Sequence, residues 1–117
     1  MNKTENYIDG KVTSVSKSDL PVFDPSTGEE ISKVVLSNEE DFKIAIKSSK
    51  ESQKNWANFT PLKRSRILSN YKTLIEKNLQ EIAQLVSKEH GKTLDDAKGS
   101  VTRGLEVVEF ACGIPHL

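Results

Sequence analysis

The chain has 117 residues, 35 % of them apolar and 29 % charged, with 17 Lys and Arg balanced by 17 Asp and Glu. That length suits one small domain burying roughly 65 % of the surface its unfolded form exposes, yet the apolar share is low, so the chain reads as a peripheral layer that leans on something else. Even charge excludes the basic footprint that nucleic acid or an anionic membrane surface would attract.

The single cysteine, Cys112, excludes an intrachain disulfide and points to a reducing, cytoplasmic compartment. His90 and His116 lack any metal-ligand spacing, so no metal is expected. Apolar runs of a few residues exclude a bilayer span, and the segment Asn2 to Asn6 carries no targeting pattern, the first strand signal being placed at Tyr7.

Along the chain, Tyr7-Ile8-Asp9-Gly10-Lys11-Val12 sets an Asp-Gly pair between short apolar flanks and predicts a tight hairpin. Leu20 to Phe23 and Glu30 to Leu36 read as two further strands around the turn Asp24-Pro25-Ser26-Thr27-Gly28. So few short strands need a helix layer or further strands to cover them. Ser37-Asn38-Glu39-Glu40 then predicts a capping box, with the serine hydroxyl as the cap, and a helix to about Ala57. Phe42, Ala45, Ile46, Ser49 and Trp56 give it one narrow apolar face, with Trp56 as a core anchor rather than a stacking platform for a ligand.

Thr60-Pro61 restarts the chain as N-cap and first helical residue. Leu62, Ile67, Leu68, Tyr71, Leu74 and Ile75 form its apolar stripe. Lys63, Arg64 and Arg66 crowd its start, the unfavourable end of the helix dipole for cations, and read as a solvated face ahead of an anion site. Lys77-Asn78 interrupts the helix, with Asn78 expected to cap a new turn. Ile82, Leu85 and Val86 continue the face to Glu89, and Gly91 is a left-handed stop. Thr93-Leu94-Asp95-Asp96 is another capping box, opening a last helix from Leu94 to about Cys112.

That last helix holds two interior glycines, Gly99 and Gly104, on either side of Arg103. Each costs a helix roughly 1 kcal/mol relative to alanine, so a packing or ligand reason is expected. At 100° per residue Leu94, Ala97, Val101, Leu105, Val108 and Cys112 share a core seam, where Cys112 reads as an inert small hydrophobe rather than a nucleophile. Opposite lie Gly99, Arg103, Val107, Phe110 and Ile114. A helix apolar on both sides is expected to be sandwiched, leaving Arg103 partly buried and in need of an anion. Glu106, three residues on, is one partner; an incoming carboxylate, held bidentately and approaching over the glycines, is the other. Spacing leaves both open.

Tyr7-Ile8-Asp9-Gly10-Lys11, Phe23-Asp24-Pro25-Ser26-Thr27-Gly28-Glu29, Asn55-Trp56 and Glu89-His90-Gly91-Lys92-Thr93, in that order and spacing, resemble the opening of the aldehyde dehydrogenase superfamily. The run from Asp96 to Gly113 is similar to the acylating methylmalonate-semialdehyde dehydrogenases. The resemblance implies an α/β fold: N-terminal β-hairpins followed by three or four helices, together the incomplete N-terminal part, over residues 1–117, of an NAD-binding, Rossmann-like domain. It implies NAD as cofactor, coenzyme A as co-substrate, a small semialdehyde as substrate and a homo-oligomeric complete enzyme. A cysteine thiolate would attack the aldehyde, hydride would pass to NAD, the carboxyl group would leave as carbon dioxide, and coenzyme A would take the acyl group. The family's nucleophile and dinucleotide turn have no match in this chain, so no catalytic residue is assigned, NAD contacts are not located, and the chain alone is expected to be inactive. Arg103 is the one residue the resemblance gives a role, holding the substrate carboxylate. A hydrolytic aldehyde dehydrogenase and a non-enzymatic helical interaction module are the competing readings.

Overall fold

Asp9 and Gly10 adopt left-handed backbone angles, φ 53° and 72°, the pair that a two-residue hairpin turn requires. They join β2 (Tyr7–Ile8) to β3 (Lys11–Val12), paired antiparallel with Tyr7 opposite Val12. The computed structural model describes residues 3–117, divided into two units, one over Met1–Ala57 and one over Asn58–Leu117.

In the first unit, β4 (Asp19–Phe23) runs antiparallel to β5 (Glu30–Val35). Their connection closes as its residues demand: Asp24 Oδ1 accepts the Ser26 amide at 2.8 Å and Gly28 turns at φ 75°. A third strand, β1 (Lys3–Thr4), pairs parallel to β5, giving the order β1-β5-β4. This corrects the placing of the first strand at Tyr7; Asn2 lies outside the described residues, but Lys3 and Thr4 are in the sheet. Two exposed polar residues carry no alternation, and their pairing is dictated by the central strand. Pro21 is tolerated because β4 lies at the sheet edge. Asp19 links all three strands, reaching Lys33 at 3.3 Å and Lys3 at 3.4 Å; Lys33 first, then Lys3, holds its carboxyl below the usual range against the opposing effect of burial.

Helix α1 (Glu39–Ala57) begins one residue later in its capping logic than expected. Asn38, not Ser37, is the cap: Asn38 Oδ1 accepts the amides of Glu40 and Asp41 at 3.0 Å each, while Asp41 Oδ2 accepts the Asn38 amide at 3.1 Å. The box is therefore Asn38 with Asp41. Ser37 instead donates its hydroxyl to Asn6 Oδ1 at 2.9 Å, because a long-range partner satisfies it better than its own helix. Asp41 is the buried polar centre of this unit, 3 % exposed. Besides the cap, its carboxylate accepts the Val15 amide at 2.7 Å and the Ser16 amide at 3.2 Å, tying the segment after β3 to the start of α1. The Val15 and Asn38 amides hold this carboxyl below the ordinary range despite desolvation. The apolar stripe of α1 is not covered among the described residues: Phe42 and Ile46 remain exposed, with Trp56 half-buried.

The second unit is helical: α2 (Pro61–Lys77), α3 (Leu79–His90), α4 (Leu94–Gly113) and a 3₁₀ turn (Ile114–His116). Thr60 and Thr93 cap as their sequences predict, each hydroxyl accepting an amide three residues on at 3.2 Å. Asn78 does not cap α3. Its side chain turns back and donates to the Leu74 carbonyl at 2.7 Å, closing α2 instead, since a helix C-terminus leaves free acceptors that an amide NH₂ satisfies. Gly91 ends α3 at φ 75°, its amide donating to the Ser87 carbonyl at 2.8 Å. Ala83, Ala97 and Leu105 form the tightly buried centre where α4 packs against α2 and α3. The expected order, strands first and helices after, holds.

Candidate functional site

The inner side of α4 is the predicted seam. Ala97 is fully buried and Leu105 nearly so, and Leu94, Val101, Val108 and Cys112 are half-buried beside them. Polar pins hold the helix in register along its length. Lys92 Nζ donates to Ser100 Oγ at 2.9 Å, Lys72 Nζ reaches Glu109 Oε1 at 2.9 Å, and the Ser65 hydroxyl donates to the Cys112 carbonyl. Glu109 is the main reason the Lys72 ammonium holds its proton above the usual range. Cys112 thus contributes its backbone carbonyl to the fold and lies half-buried in the seam.

The outer side is bare. Val107 is 69 % exposed, Phe110 65 % and Ile114 53 %. Arg103 stands exposed among them, which corrects the expectation that it is partly buried: none of the described residues covers this face. Among the described residues no carboxylate lies within 4.0 Å of the Arg103 guanidinium, Glu106 included. The intrahelical ion pair, one of the two readings left open by spacing, is not formed. Arg103 therefore presents a full guanidinium fork, five donors in fixed geometry, on a helix held rigidly from behind.

The glycines show no reason for themselves within the chain. A Cβ built on Gly99 or on Gly104 meets nothing within 4 Å, so each helical cost of roughly 1 kcal/mol is unexplained by intrachain packing. Gly99 lies one turn before Arg103 on the same face and leaves the backbone open to close approach there. This arrangement suits binding an anion alongside apolar surface. No group of three His, Cys, Asp or Glu side chains among the described residues is placed to hold a metal ion.

Two other places were candidates. The cationic start of α2 has Lys63 Nζ 3.7 Å from the centre of the Phe59 ring, and Arg64 Nε is buried without a partner; Lys63 is thereby engaged with an aromatic face rather than aimed at an anion. A groove of about 590 Å³ lies between the β2–β3 hairpin and α1, far in sequence from Arg103. Lys11, Lys47, Asp9 and Glu51 line it with both signs of charge, and it is open, so it has neither the enclosure nor the convergent donors of a small-molecule site. Among the described residues no glycine-bearing turn of the kind that cradles a dinucleotide phosphate leads from a strand into a helix. No helix among the described residues is long and apolar enough to cross a membrane. Sequence reasoning missed Asp41, whose signal was the Asn38-x-x-Asp41 spacing hidden beside the more familiar serine box.

The chain is 44 % identical over 117 residues to a Dictyostelium discoideum protein described as a probable acylating methylmalonate-semialdehyde/malonate-semialdehyde dehydrogenase of mitochondria, covering 99 % of this chain and 22 % of that one. It is 39 % identical to a malonate-semialdehyde dehydrogenase of Pseudomonas aeruginosa, covering all of this chain and 24 % of the relative. Among solved structures, a protein of Sinorhizobium meliloti 1021 assigned as a methylmalonate-semialdehyde dehydrogenase and complexed with NAD superposes with TM-score 0.96 at 42 % identity, over 99 % of this chain and 24 % of that one. The methylmalonate-semialdehyde dehydrogenase of Oceanimonas doudoroffii superposes with TM-score 0.95 at 35 % identity, over 99 % and 24 %. The chain thus spans about a quarter of the length of the relatives it matches, at their N-terminal portion. With residues 12–116 matching the model of the aldehyde dehydrogenase family, this chain belongs to that family of oxidoreductases.

Proposed function

We propose that this chain is the N-terminal part of the cofactor-binding domain of an acylating methylmalonate- or malonate-semialdehyde dehydrogenase, and that Arg103 holds the carboxylate of the semialdehyde. The observation that carries the assignment of Arg103 is its unpaired, exposed fork on the rigid outer face of α4, one turn after a glycine that packs against nothing. The names of the relatives support the substrate class.

Bound NAD supplies the hydride acceptor. The substrate carries a carboxylate two carbons from its aldehyde carbon, and a bidentate guanidinium fixes both oxygens and so orients the chain toward the nucleophile. That nucleophile, a cysteine thiolate by family resemblance, lies outside these 117 residues. In the complete enzyme the aldehyde carbon is oxidised as NAD is reduced, the carboxylate leaves as carbon dioxide, and coenzyme A accepts the acyl group, giving acetyl- or propionyl-CoA. The chain alone lacks this nucleophile and is proposed to be inactive. The single cysteine, Cys112, supports a reducing compartment such as the cytoplasm; the complete enzyme is proposed to be a homo-oligomer.

The test is a chimera in which this chain replaces the matching N-terminal portion of the Sinorhizobium meliloti relative. It is expected to reduce NAD with malonate semialdehyde and coenzyme A and to release acetyl-CoA, measured by absorbance and mass spectrometry, while the 117-residue chain alone does neither. Release of free acid in place of acyl-CoA would reassign the enzyme to the hydrolytic type. Turnover by the chain alone would refute its incompleteness.

A further inference from the structure

We propose that Gly99 sets the substrate range of the Arg103 site: its bare backbone leaves room for a substituent on the carbon that carries the carboxylate, so that methyl-branched as well as unbranched semialdehydes are accepted. The inference rests on the reading of Arg103 given above and specifies what the site around that residue admits.

Helix geometry connects the two residues. Every Cα–Cβ bond in a helix tilts toward the N-terminus, so a long side chain covers the turn before its own Cα. The turn covered by Arg103 holds Gly99 and Ser100, four and three positions earlier, about 4.5–6 Å back along the axis. Those two flanks differ. Ser100 is occupied by its own neighbours: its hydroxyl donates to the Asp96 carbonyl at 3.1 Å and accepts from Lys92 Nζ at 2.9 Å. Gly99 has no side chain, and a Cβ built on it meets nothing within 4 Å. An alanine there would fit the fold and favour the helix, so none of the described residues requires the glycine. A ligand held over that turn does.

The chemistry of the substrate says which part of the ligand needs the space. When the guanidinium fork holds a carboxylate by both oxygens, it fixes the direction in which the rest of the molecule leaves. The next carbon lies one bond, about 1.5 Å, from the carboxylate carbon, so a branch on it stays beside the fork. A hydrogen on this carbon needs little room. A methyl group needs as much as the side chain of alanine, which is what Gly99 omits. On the other flank of Arg103, one turn toward the C-terminus, exposed Val107 offers apolar contact and no such gap.

The test measures kcat/KM for methylmalonate semialdehyde and for malonate semialdehyde, by NAD reduction, in the chimera before and after Gly99→Ala. The parent is expected to oxidise both. Gly99→Ala is expected to lower the value for the methyl-branched substrate at least about 10-fold, the discrimination that one methyl group gives in a fitted pocket, while malonate semialdehyde changes by less than about 3-fold. Gly99→Ser, close in size, should repeat the result, and Gly104→Ala, a methyl group on a different side of the helix, should leave the ratio of the two substrates unchanged; thermal melting of each variant verifies its fold. Equal losses on both substrates, or no loss on either, would overturn the proposal, as would a ratio that follows Gly104→Ala in place of Gly99→Ala. A parent that oxidises malonate semialdehyde but not its methyl derivative would overturn it too. Arg103→Leu separates this outcome from the reading beneath it. If the preference for malonate semialdehyde over propanal survives Arg103→Leu, or the parent oxidises neither semialdehyde, the carboxylate site fails and the role of Gly99 goes with it. If that preference is lost while Gly99→Ala treats branched and unbranched substrates alike, Arg103 keeps its role and Gly99 alone loses its own.

Discussion

The two sides of α4 differ in what they are for. The inner side is filled by Ala97 and Leu105, framed by Val101 and Val108, and pinned by Ser65, Lys72 and Lys92. The outer side is apolar too, in Val107, Phe110 and Ile114, with an arginine and a glycine among them, and none of the described residues covers it. Folding of the second unit uses only one of them. Apolar periodicity therefore marks what a helix can bury, not what buries it, and the difference between the two sides separates residues that shape this unit from residues that its folding leaves open.

The largest effect expected within the chain is on the inner side. Leu105→Ala should cost about 2–5 kcal/mol, a large part of the total stability of a domain this size, and thermal unfolding would show it as a markedly lower midpoint. Phe110→Ala, similar in apolar loss but on the outer side, should change the isolated chain by no more than about 0.5 kcal/mol. Equal losses at the two positions would break the comparison.

Asp41 offers a second contrast, in the first unit, between a buried anchor and an open helix face. Its folded carboxyl sits below the ordinary value because backbone amides of Val15 and Asn38 hold it ionised. The stability it contributes is thus fully present above the unfolded carboxylate range of about 4 and is lost as pH falls through the lower folded value. Circular dichroism during acid titration should follow that loss, and Asp41→Asn should lower the neutral-pH melting temperature while flattening the acid dependence. An acid profile unchanged by the substitution would assign the acid sensitivity elsewhere.

The smallest expected effect has the opposite sign. Gly99→Ala should stabilise the isolated chain by about 1 kcal/mol, through helix propensity alone, since the new methyl group meets nothing. In the complete enzyme the same substitution should be neutral or harmful. A gain in both settings would mean that nothing approaches the helix at Gly99.

Where the sequence was legible, the chemistry was local. The Asp9-Gly10 turn, the Thr60 and Thr93 caps and the Gly91 stop each depend on neighbours a few residues away, and each formed as predicted. Where it misled, a distant partner decided the outcome. Ser37 gave its hydroxyl to Asn6 and left the cap to Asn38, Asp41 gathered amides from the loop after β3, and β1 took its place from β5 rather than from any pattern of its own. Arg103 was legible as an arginine beside apolar residues, but not as an exposed one, because helical periodicity gives the face a residue lies on and not what covers that face. The family was legible from motif order; the partition of α4 into a folding side and an open side needed coordinates.

The role of Arg103 is the centre of this account, and the ratio of kcat/KM for malonate semialdehyde to that for propanal tests it most directly. The ratio is measured in the chimera with and without Arg103→Leu. Removing two charge-assisted hydrogen bonds to the carboxylate should lower it about 100-fold, through the carboxylated substrate, with propanal little changed. An unchanged ratio, with both substrates losing equally, would make Arg103 a structural residue and contradict the assignment.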